Sequence, residues 1–200
     1  PATSSAASDV YKRQITYDIN GDTIESSQYE YPLIYPEDGW VEIDPQVLID
    51  SVTKSLNDID KNDVELISIT NQRETTIVWE KQSGNPIYNA IVWQDRRTSQ
   101  YCESIRTDNL EKNIQDKTGL ILDPYFSATK IKWILENVSG AKKQATNGEL
   151  CFGTVDTYLM YRLSEGKIFK TDITNASRTM LFNINTLSWD TELLDIFGID

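Results

Sequence analysis

Ile69-Thr-Asn-Gln-Arg-Glu-Thr-Thr76 is the segment from which the architecture of this chain can be worked out. Its apolar strand ends in adjacent Arg73 and Glu74, and a second apolar strand, within Ala90-Ile-Val-Trp-Gln-Asp-Arg-Arg97, ends in Trp93 and a charged run. A guanidinium donates hydrogen bonds and a carboxylate accepts them, so the pair suits a neutral ligand rich in hydroxyls. An indole can cover the carbon face of such a ligand. Because ligands of open α/β sheets bind beyond strand ends, the two segments predict a site for a small polyol or sugar.

Each of these residues also has an interpretation without a ligand. Arg73 and Glu74 equally fit a salt bridge at a strand end. Trp93 fits ordinary packing in or beside the core. The run Asp95-Arg-Arg97 fits a solvated ion-pair cluster of little energetic weight. Periodicity alone does not separate the two sets of interpretations.

The composition excludes several classes of protein. A length of 200 residues makes one domain the default, although two small ones would fit. The hydrophobic fraction of 39% suffices for a core and argues against disorder. The net charge is −12, from 19 basic and 31 acidic residues. This charge argues against a nucleic-acid partner, which needs a basic footprint, and against an anionic membrane surface.

The residue types present also limit the chemistry. The chain has no His, which removes Ser-His-Asp, Cys-His and His-metal sites. Cys102 and Cys151 are too few and too far apart for a disulfide framework, and no pattern of zinc ligands accompanies them. Neither glycine-rich phosphate motif, GxxxxGK[ST] or GxGxxG, is present. No apolar run reaches the roughly 18 residues that a membrane helix needs. We therefore expect a reduced, cytoplasmic chain with no membrane span and no metal site of its own.

The order of predicted elements indicates an α/β fold. The Asn20-Gly21-Asp22 turn predicts a hairpin joining strands at 15–18 and 23–31, and Asp44-Pro45 predicts the start of a helix that ends near residue 58. The remaining predictions are strands at 64–69 and 150–153, a hairpin of 75–80 with 86–93, and helices at 98–105, 127–137, 154–163 and from 190 onward. This alternation predicts helices layered on a mixed β-sheet.

Two further blocks carry candidate residues. Tyr125 precedes the helix at 127–137, where a phenol can reach a ligand, although a packed aromatic at a helix entrance fits equally. Trp133 lies off the main apolar face of that helix and predicts a second packing surface, at a domain or subunit contact. The hydroxyls and amide of Thr171-Asp-Ile-Thr-Asn-Ala-Ser-Arg-Thr179 can line a cleft, or bond to their own backbone in turns.

Taken together, the blocks resemble the glycerol kinases of the polyol and sugar kinase family, which has an actin-like, ribonuclease-H-like fold. The resemblance extends over residues 17–200 and is most specific at 69–76, 90–97 and 171–179. Residues 125–137 also match the family pattern of an aromatic, a Ser two residues on, a Lys three later and a Trp three later. Four such blocks in the right order are a specific signal.

The resemblance implies MgATP-dependent transfer of a γ-phosphoryl group to a terminal hydroxyl of glycerol, giving sn-glycerol 3-phosphate. It implies that Arg73, Glu74 and Tyr125 hydrogen-bond the glycerol hydroxyls and that Trp93 packs against the carbon backbone. Positioning of the nucleophile is most of phosphoryl-transfer catalysis. The implied cofactors are ATP and Mg²⁺, the implied partners are glycerol and ATP without nucleic acid, and the implied parent enzyme is a homo-oligomer.

The beginning of the chain departs from the family pattern. Members of the family start with a strand and an Asp-x-Gly-Thr-Thr-Ser-type phosphate loop, whereas residues 1–14 are small and polar without a period. We expect residues 1–14 to be disordered or non-native and the first strand to be missing. Thr3, Ser4 and Ser5 would then be a remnant of the cofactor-binding phosphate loop.

The family's catalytic Asp and the rest of its nucleotide machinery lie beyond residue 200. We therefore expect no catalytic residue within this chain. Residues 15–200 would form a partial N-terminal actin-like domain, a fragment that does not turn over alone. Two alternatives remain open: a kinase of the same fold that acts on another polyol or a pentose, and a non-catalytic, truncated polyol-binding module.

Overall fold

The computed structural model describes residues 2–7, 11–62 and 64–199, and for residues 2–7 and 11 it describes the backbone alone. Its strands are β1 (Ala2–Ala7), β2 (Tyr11–Tyr17), β3 (Thr23–Glu30), β4 (Glu42–Ile43), β5 (Leu66–Ile69), β6 (Ile77–Glu80), β7 (Ala90–Ile91), β8 (Leu150–Gly153), β9 (Phe182–Asn183) and β10 (Ser188–Trp189). Its helices are α1 (Pro45–Asn57), α2 (Ser99–Ile105), α3 (Asp108–Thr118), α4 (Ser127–Asn137), α5 (Ala141–Thr146), α6 (Val155–Leu163), α7 (Ile173–Ala176) and α8 (Thr191–Phe197).

A four-stranded mixed sheet in the order β3-β2-β1-β5 confirms the predicted sheet type. Strands β1, β2 and β3 pair antiparallel, and β5 pairs parallel with β1. The β2–β3 turn needs a residue with positive φ, which Gly21 supplies at 89°. Helix α1 provides the crossover that a parallel connection from β3 to β5 requires.

The beginning of the chain differs from the prediction. Residues 1–14 were expected to be without regular structure, and the first strand was expected to be missing. Instead β1 runs from Ala2 to Ala7, between β2 and β5, and β2 begins at Tyr11. Pairing on both sides supplies backbone hydrogen bonds that outweigh the low strand propensity of Ala and Ser. Residues 1 and 8–10 lie outside the described residues, and a non-native origin for the segment stays a prediction.

Helix α1 starts where the sequence predicted. The Asp44 side chain accepts a hydrogen bond from the Gln46 backbone N–H, and Pro45 is the first helical residue. The apolar face of the helix buries Leu48 and Val52. Since α1 packs against β2 and β3, it covers one face of the four-stranded sheet.

The predicted hairpin around Gly84 is present, but its two strands find other main partners. Strand β6 pairs antiparallel with β8, and β7 pairs antiparallel with β4. The two arms of the hairpin are joined by isolated bridges, Thr76 with Ile91 and Trp79 with Pro86. Because Thr76 bridges to Ile91, the two candidate segments, 69–76 and 90–97, lie next to each other in the fold.

Three helices were missed by the sequence interpretation. Helix α3 is capped by Thr107 and ends at Gly119, but it buries only Ile114 and Thr118, so its periodicity is weak. The other two, α5 and α7, have six and four residues and lack the length for a periodic signal.

The buried apolar side chains form two large clusters. The first core lies around Trp79, Tyr158 and Leu48 and includes Cys151. The second core lies around Leu122 and Phe197 and includes Cys102. None of the helices in the described ranges combines the length and the apolarity that crossing a membrane would take.

Candidate functional site

Glu74 is a buried carboxylate at the turn between β5 and β6. It is only 4% exposed, and its Oε1 accepts a hydrogen bond from Arg178 Nε at 2.7 Å. The salt bridge weighed for this residue therefore exists, but its partner is Arg178 rather than Arg73. A buried carboxylate needs such a partner to remain charged. The carboxylate is thus held in a fixed orientation.

Arg73 points to solvent beside this carboxylate. Its side chain is exposed, and the structure shows no ion pair for it among residues 11–62 and 64–199. It nevertheless lies close to the phenol of Tyr125. Burial raises the pKa of Tyr125, the Glu74 carboxylate raises it further, and the charges of Arg178 and Arg73 act in the opposite direction. A free guanidinium thus stands at the mouth of the same group of residues.

Trp93 and Tyr125 form an edge-to-face aromatic pair. Their ring centroids are 5.6 Å apart at an interplanar angle of 61°, and both side chains are half-buried. The Tyr125 backbone N–H donates to Asp123 Oδ1 at 2.8 Å, which fixes the loop before α4. The pair offers an apolar surface with a phenol at its margin.

Lys130 connects the two halves of this group. It is fully buried on α4, and its Nζ donates to the backbone carbonyls of Glu74, at 2.8 Å, and Tyr125, at 2.7 Å. Burial lowers the pKa of Lys130 to about 7, against the opposing charges of Asp95 and Glu74. The structure therefore brings together Glu74, Trp93 and Tyr125 as predicted, with Arg73 at the edge.

The run Asp95-Arg-Arg97 is not the solvated cluster that was expected. The Arg97 side chain is fully buried and donates to Asp95 Oδ2 at 2.8 Å and to Glu42 Oε1 at 2.7 Å. Asp95 Oδ2 also accepts from the backbone N–H of Val41 at 2.6 Å. Only Arg96 is exposed, in a single ion pair with Asp123. The prediction of a solvated cluster is wrong for Asp95 and Arg97, because Glu42 and the Val41 backbone N–H supply buried partners for them.

The half-buried Trp133 packs against aromatic side chains of this chain, and its expected domain or subunit contact stays a prediction. Its ring lies 5.1 Å from that of Trp40 and 5.3 Å from that of Tyr88. The Arg97 guanidinium sits between the indoles, 4.0 Å from the Trp40 ring and 4.5 Å from the Trp133 ring. A buried cation with two carboxylates and two indoles is a structural support below the site.

The block of residues 171–179 forms caps and a polar network. Asp172 caps α7 by accepting from the backbone N–H groups of Thr174 and Asn175, as the self-bonding interpretation predicted. Asn175 also donates to Asp156 Oδ2 at 3.0 Å, and Asn71 donates to Asn175 Oδ1 at 3.0 Å. Burial raises the pKa of Asp156. The network ties the chain after β5 to the start of α6.

Thr3, Ser4 and Ser5 lie in the middle of β1, not in a loop. Ser4 is paired with Ile15 on one side and Ser68 on the other. Both backbone edges are therefore engaged in the sheet, which counts against a phosphate loop there. Their part in cofactor binding stays a prediction.

Two residues of the group were missed by the sequence interpretation. Lys130 stands four residues before the buried Ile134, on the apolar side of α4. That spacing could have indicated a buried cation. Arg178 is the single basic residue in the block 171–179. Its pairing with Glu74, 104 residues away along the chain, is set by tertiary structure.

A cavity of about 530 Å³ lies apart from this group. Its lining includes Phe152, Thr154, Phe169, Trp189 and Ile199. None of Arg73, Glu74, Trp93 and Tyr125 lines it. The described residues also contain no group of three or more His, Cys, Asp or Glu side chains that could hold a metal ion.

Comparison with families and curated proteins identifies relatives of nearly the whole chain. Residues 10–200 match the N-terminal domain of the FGGY family of carbohydrate kinases. Glycerol kinases from Marinomonas sp. and Allorhizobium ampelinum are each 53% identical over 193 residues, and one from Escherichia coli is 50% identical over 195 residues. These matches cover 94% of this chain but 38–39% of each relative, so the chain spans about two fifths of their length.

Solved structures agree with this result. The Plasmodium falciparum glycerol kinase with ADP superposes with a TM-score of 0.90 at 35% identity, covering 98% of this chain and 40% of that one. A xylulose kinase from Lactobacillus acidophilus superposes with a TM-score of 0.85 at 27% identity, covering 100% of this chain and 40% of that one. The fold class expected from the sequence is thereby confirmed.

Proposed function

The chain belongs to the FGGY family of carbohydrate kinases, and from this membership we propose that it forms the acceptor-binding part of an enzyme that phosphorylates glycerol with ATP. One observation carries the proposal for the site. The buried carboxylate of Glu74, oriented by Arg178, lies beside the Trp93–Tyr125 pair, with the exposed Arg73 next to it. The group thus offers an acceptor, a donor and an apolar face at one point.

In the proposed complex each residue has a separate task. Glu74 accepts a hydrogen bond from a glycerol hydroxyl, and Arg73 donates one. The Tyr125 phenol contacts another hydroxyl, and the indole of Trp93 packs against the carbon backbone. A site built to pair hydroxyls disfavours analogues that lack them, because its own polar groups would be left unpaired.

ATP, when bound, supplies the phosphoryl group. The residues of this chain fix the acceptor hydroxyl in place, and such positioning lowers the barrier by avoiding the entropy loss of a bimolecular encounter. Residues 11–62 and 64–199 contain no cluster of carboxylates that suits Mg²⁺. Mg²⁺, which the family resemblance implies, stays a prediction for the parent enzyme.

Sequence identity favours glycerol over another polyol as the proposed substrate. The relatives with 50–53% identity are glycerol kinases, whereas the xylulose and gluconate kinases are 27% identical or less. The cytoplasmic location and the homo-oligomeric parent enzyme remain proposals. Two free, buried cysteines are consistent with a reducing compartment.

The proposal is tested by glycerol binding to this chain, measured by saturation-transfer NMR and calorimetry. We expect wild type to bind glycerol and to bind propane-1,2-diol, which lacks one hydroxyl, more weakly. Glu74→Gln should weaken glycerol binding at least tenfold. Glu80→Gln is the matched control, because Glu80 pairs with Ser83 in the neighbouring turn and not with the site. Equal binding by wild type and Glu74→Gln would remove Glu74 from the site.

A further inference from the structure

Among residues 11–62 and 64–199, the side chain of Lys130 bonds to the main chain and forms no ion pair. Its Nζ donates to two backbone carbonyl oxygens, which belong to Glu74 and Tyr125, two of the residues proposed to bind glycerol hydroxyls. We propose that Lys130 is a positioning residue that sets the spacing between the Glu74 and Tyr125 segments of the glycerol site. The inference rests on the proposed function for the identity of the ligand, but not for the geometry.

Lys130 joins two segments that are far apart along the chain. Glu74 is 56 residues from Lys130 along the chain, and Tyr125 is five residues away. The Glu74 turn follows β5, whereas the Tyr125 loop precedes α4. A single Nζ within 2.8 Å of both carbonyls fixes how far apart the two backbones can lie.

Burying Lys130 costs desolvation free energy. A buried ammonium loses its hydration, and a carbonyl dipole compensates less than a carboxylate would. A residue of the same length without charge would fill the space on α4 more cheaply. An apolar side chain of that length cannot donate the two hydrogen bonds to these carbonyls. Lys130 therefore contributes geometry at the expense of stability.

Two cations contact Glu74 at different atoms. Arg178 holds the Glu74 carboxylate through Nε at 2.7 Å, while Lys130 holds the Glu74 main chain. The start of α4 is itself anchored, since the Ala128 N–H donates to the Thr179 carbonyl at 2.9 Å. Both cations thus lie on segments that are joined to each other, and the Glu74 turn is held at two points.

The test compares Lys130→Met with Lys132→Met in the full chain. Lys132 is two residues away on the same helix, pairs with Glu136, and makes no contact with Glu74. Amide hydrogen exchange is measured alongside glycerol binding and global unfolding in urea. We expect Lys130→Met to raise exchange at least tenfold in residues 72–76 and 123–126, with far smaller changes in β6 and α6, and to weaken glycerol binding at least tenfold. Lys132→Met should do neither.

The three measurements distinguish a positioning role of Lys130 from a purely structural one. If Lys130→Met changes exchange uniformly, in proportion to a loss of global stability, Lys130 has only a structural role and the inference is overturned. Unchanged exchange in both segments would overturn it as well. If wild type itself fails to bind glycerol, the proposed function fails, while the exchange data still decide whether Lys130 positions the two segments. Lys130→Arg, which keeps the charge, should restore part of the lost protection.

Discussion

Buried polar groups on strand β2 lack hydrogen-bond partners among the described residues, whereas those of Arg97 and Lys130 have them. On β2, the side chains of Lys12, Gln14 and Thr16 face inward, and Lys12 Nζ, Gln14 Oε1 and Thr16 Oγ1 have no hydrogen-bond partner among the described residues. Around the site, Arg97 and Lys130 each have at least two partners. Around the site the partners thus offset part of the cost of burial, whereas on β2 that cost has no such compensation among the described residues.

The contrast is sharpest between the two buried lysines. Burial lowers the pKa of both Lys12 and Lys130 to about 7. Lys130 gains two carbonyl contacts in return. Lys12 gains only the face of Tyr31, whose ring centroid is 5.9 Å from its Nζ. Desolvation is the largest cause of the lowered pKa in both lysines, so the two residues differ in their hydrogen-bond partners and not in their burial.

The largest expected effect comes from breaking the satisfied network. Arg97→Met should reduce the free energy of unfolding by about 3–5 kcal/mol, because it leaves the buried carboxylates of Asp95 and Glu42 without their cation. Urea denaturation measures this. Arg96→Met is the matched control, because its neighbouring guanidinium is exposed in one surface ion pair. Similar small losses in both variants would contradict a buried structural role for Arg97.

The opposite sign is expected on β2. Lys12→Met should raise the free energy of unfolding by about 1–3 kcal/mol, since it removes a buried polar group for which the described part of the chain offers no hydrogen-bond partner. Lys54→Met, on the exposed side of α1, should change stability by no more than about 0.5 kcal/mol. A destabilised Lys12→Met protein would mean that the ammonium has partners that compensate its burial.

Stability should also rise with pH above neutrality. For a lysine with a folded pKa near 7 and an unfolded value of 10.5, the unfolded state binds more protons between these limits. Each lysine then adds about 1.4 kcal/mol of stability per pH unit from pH 7 toward 10.5, and nothing further below pH 7. Urea denaturation between pH 7 and 9 measures the slope, and Lys12→Met should remove about half of it. An equal slope in the variant would contradict the assignment.

The smallest effect on stability is expected for Arg73. Its side chain is exposed, so Arg73→Ala should change the free energy of unfolding by less than about 0.5 kcal/mol. Glycerol affinity should nevertheless fall several-fold, because the variant loses a donor. Calorimetry and urea denaturation on the same sample separate the two effects. A stability loss above about 1 kcal/mol would show that Arg73 supports the fold.

The sequence predicted the parts of the molecule that depend on local signals. The Asp44 cap, the turn at Gly21 and helix α4 were all predicted correctly because capping, turn chemistry and periodicity act within a few residues. The grouping of Glu74, Trp93 and Tyr125 was predicted from strand ends and family resemblance. Their ligand contacts remain proposals.

What the sequence could not predict depends on distant partners. Strand β1 owes its conformation to neighbours on both sides. Arg97 resembles a surface charge until Glu42 and the two indoles enclose it. Arg178 lies 104 residues from Glu74 along the chain, and the fold of the segment between α6 and β9 brings the two side chains into contact. In each case tertiary contacts override a local pattern that favours another outcome.

The two cores of the fold each contain one cysteine, so the reactivity of each thiol reports the local unfolding of its core. Cys151 belongs to the first core and Cys102 to the second. Burial raises the pKa of Cys102 to about 12 and also raises that of Cys151, so neither thiol reacts while its core is closed. Thiol labelling followed by peptide mass analysis would therefore time the opening of each half separately. A difference between the two labelling rates would show which of the two cores unfolds locally first, without any engineered probe.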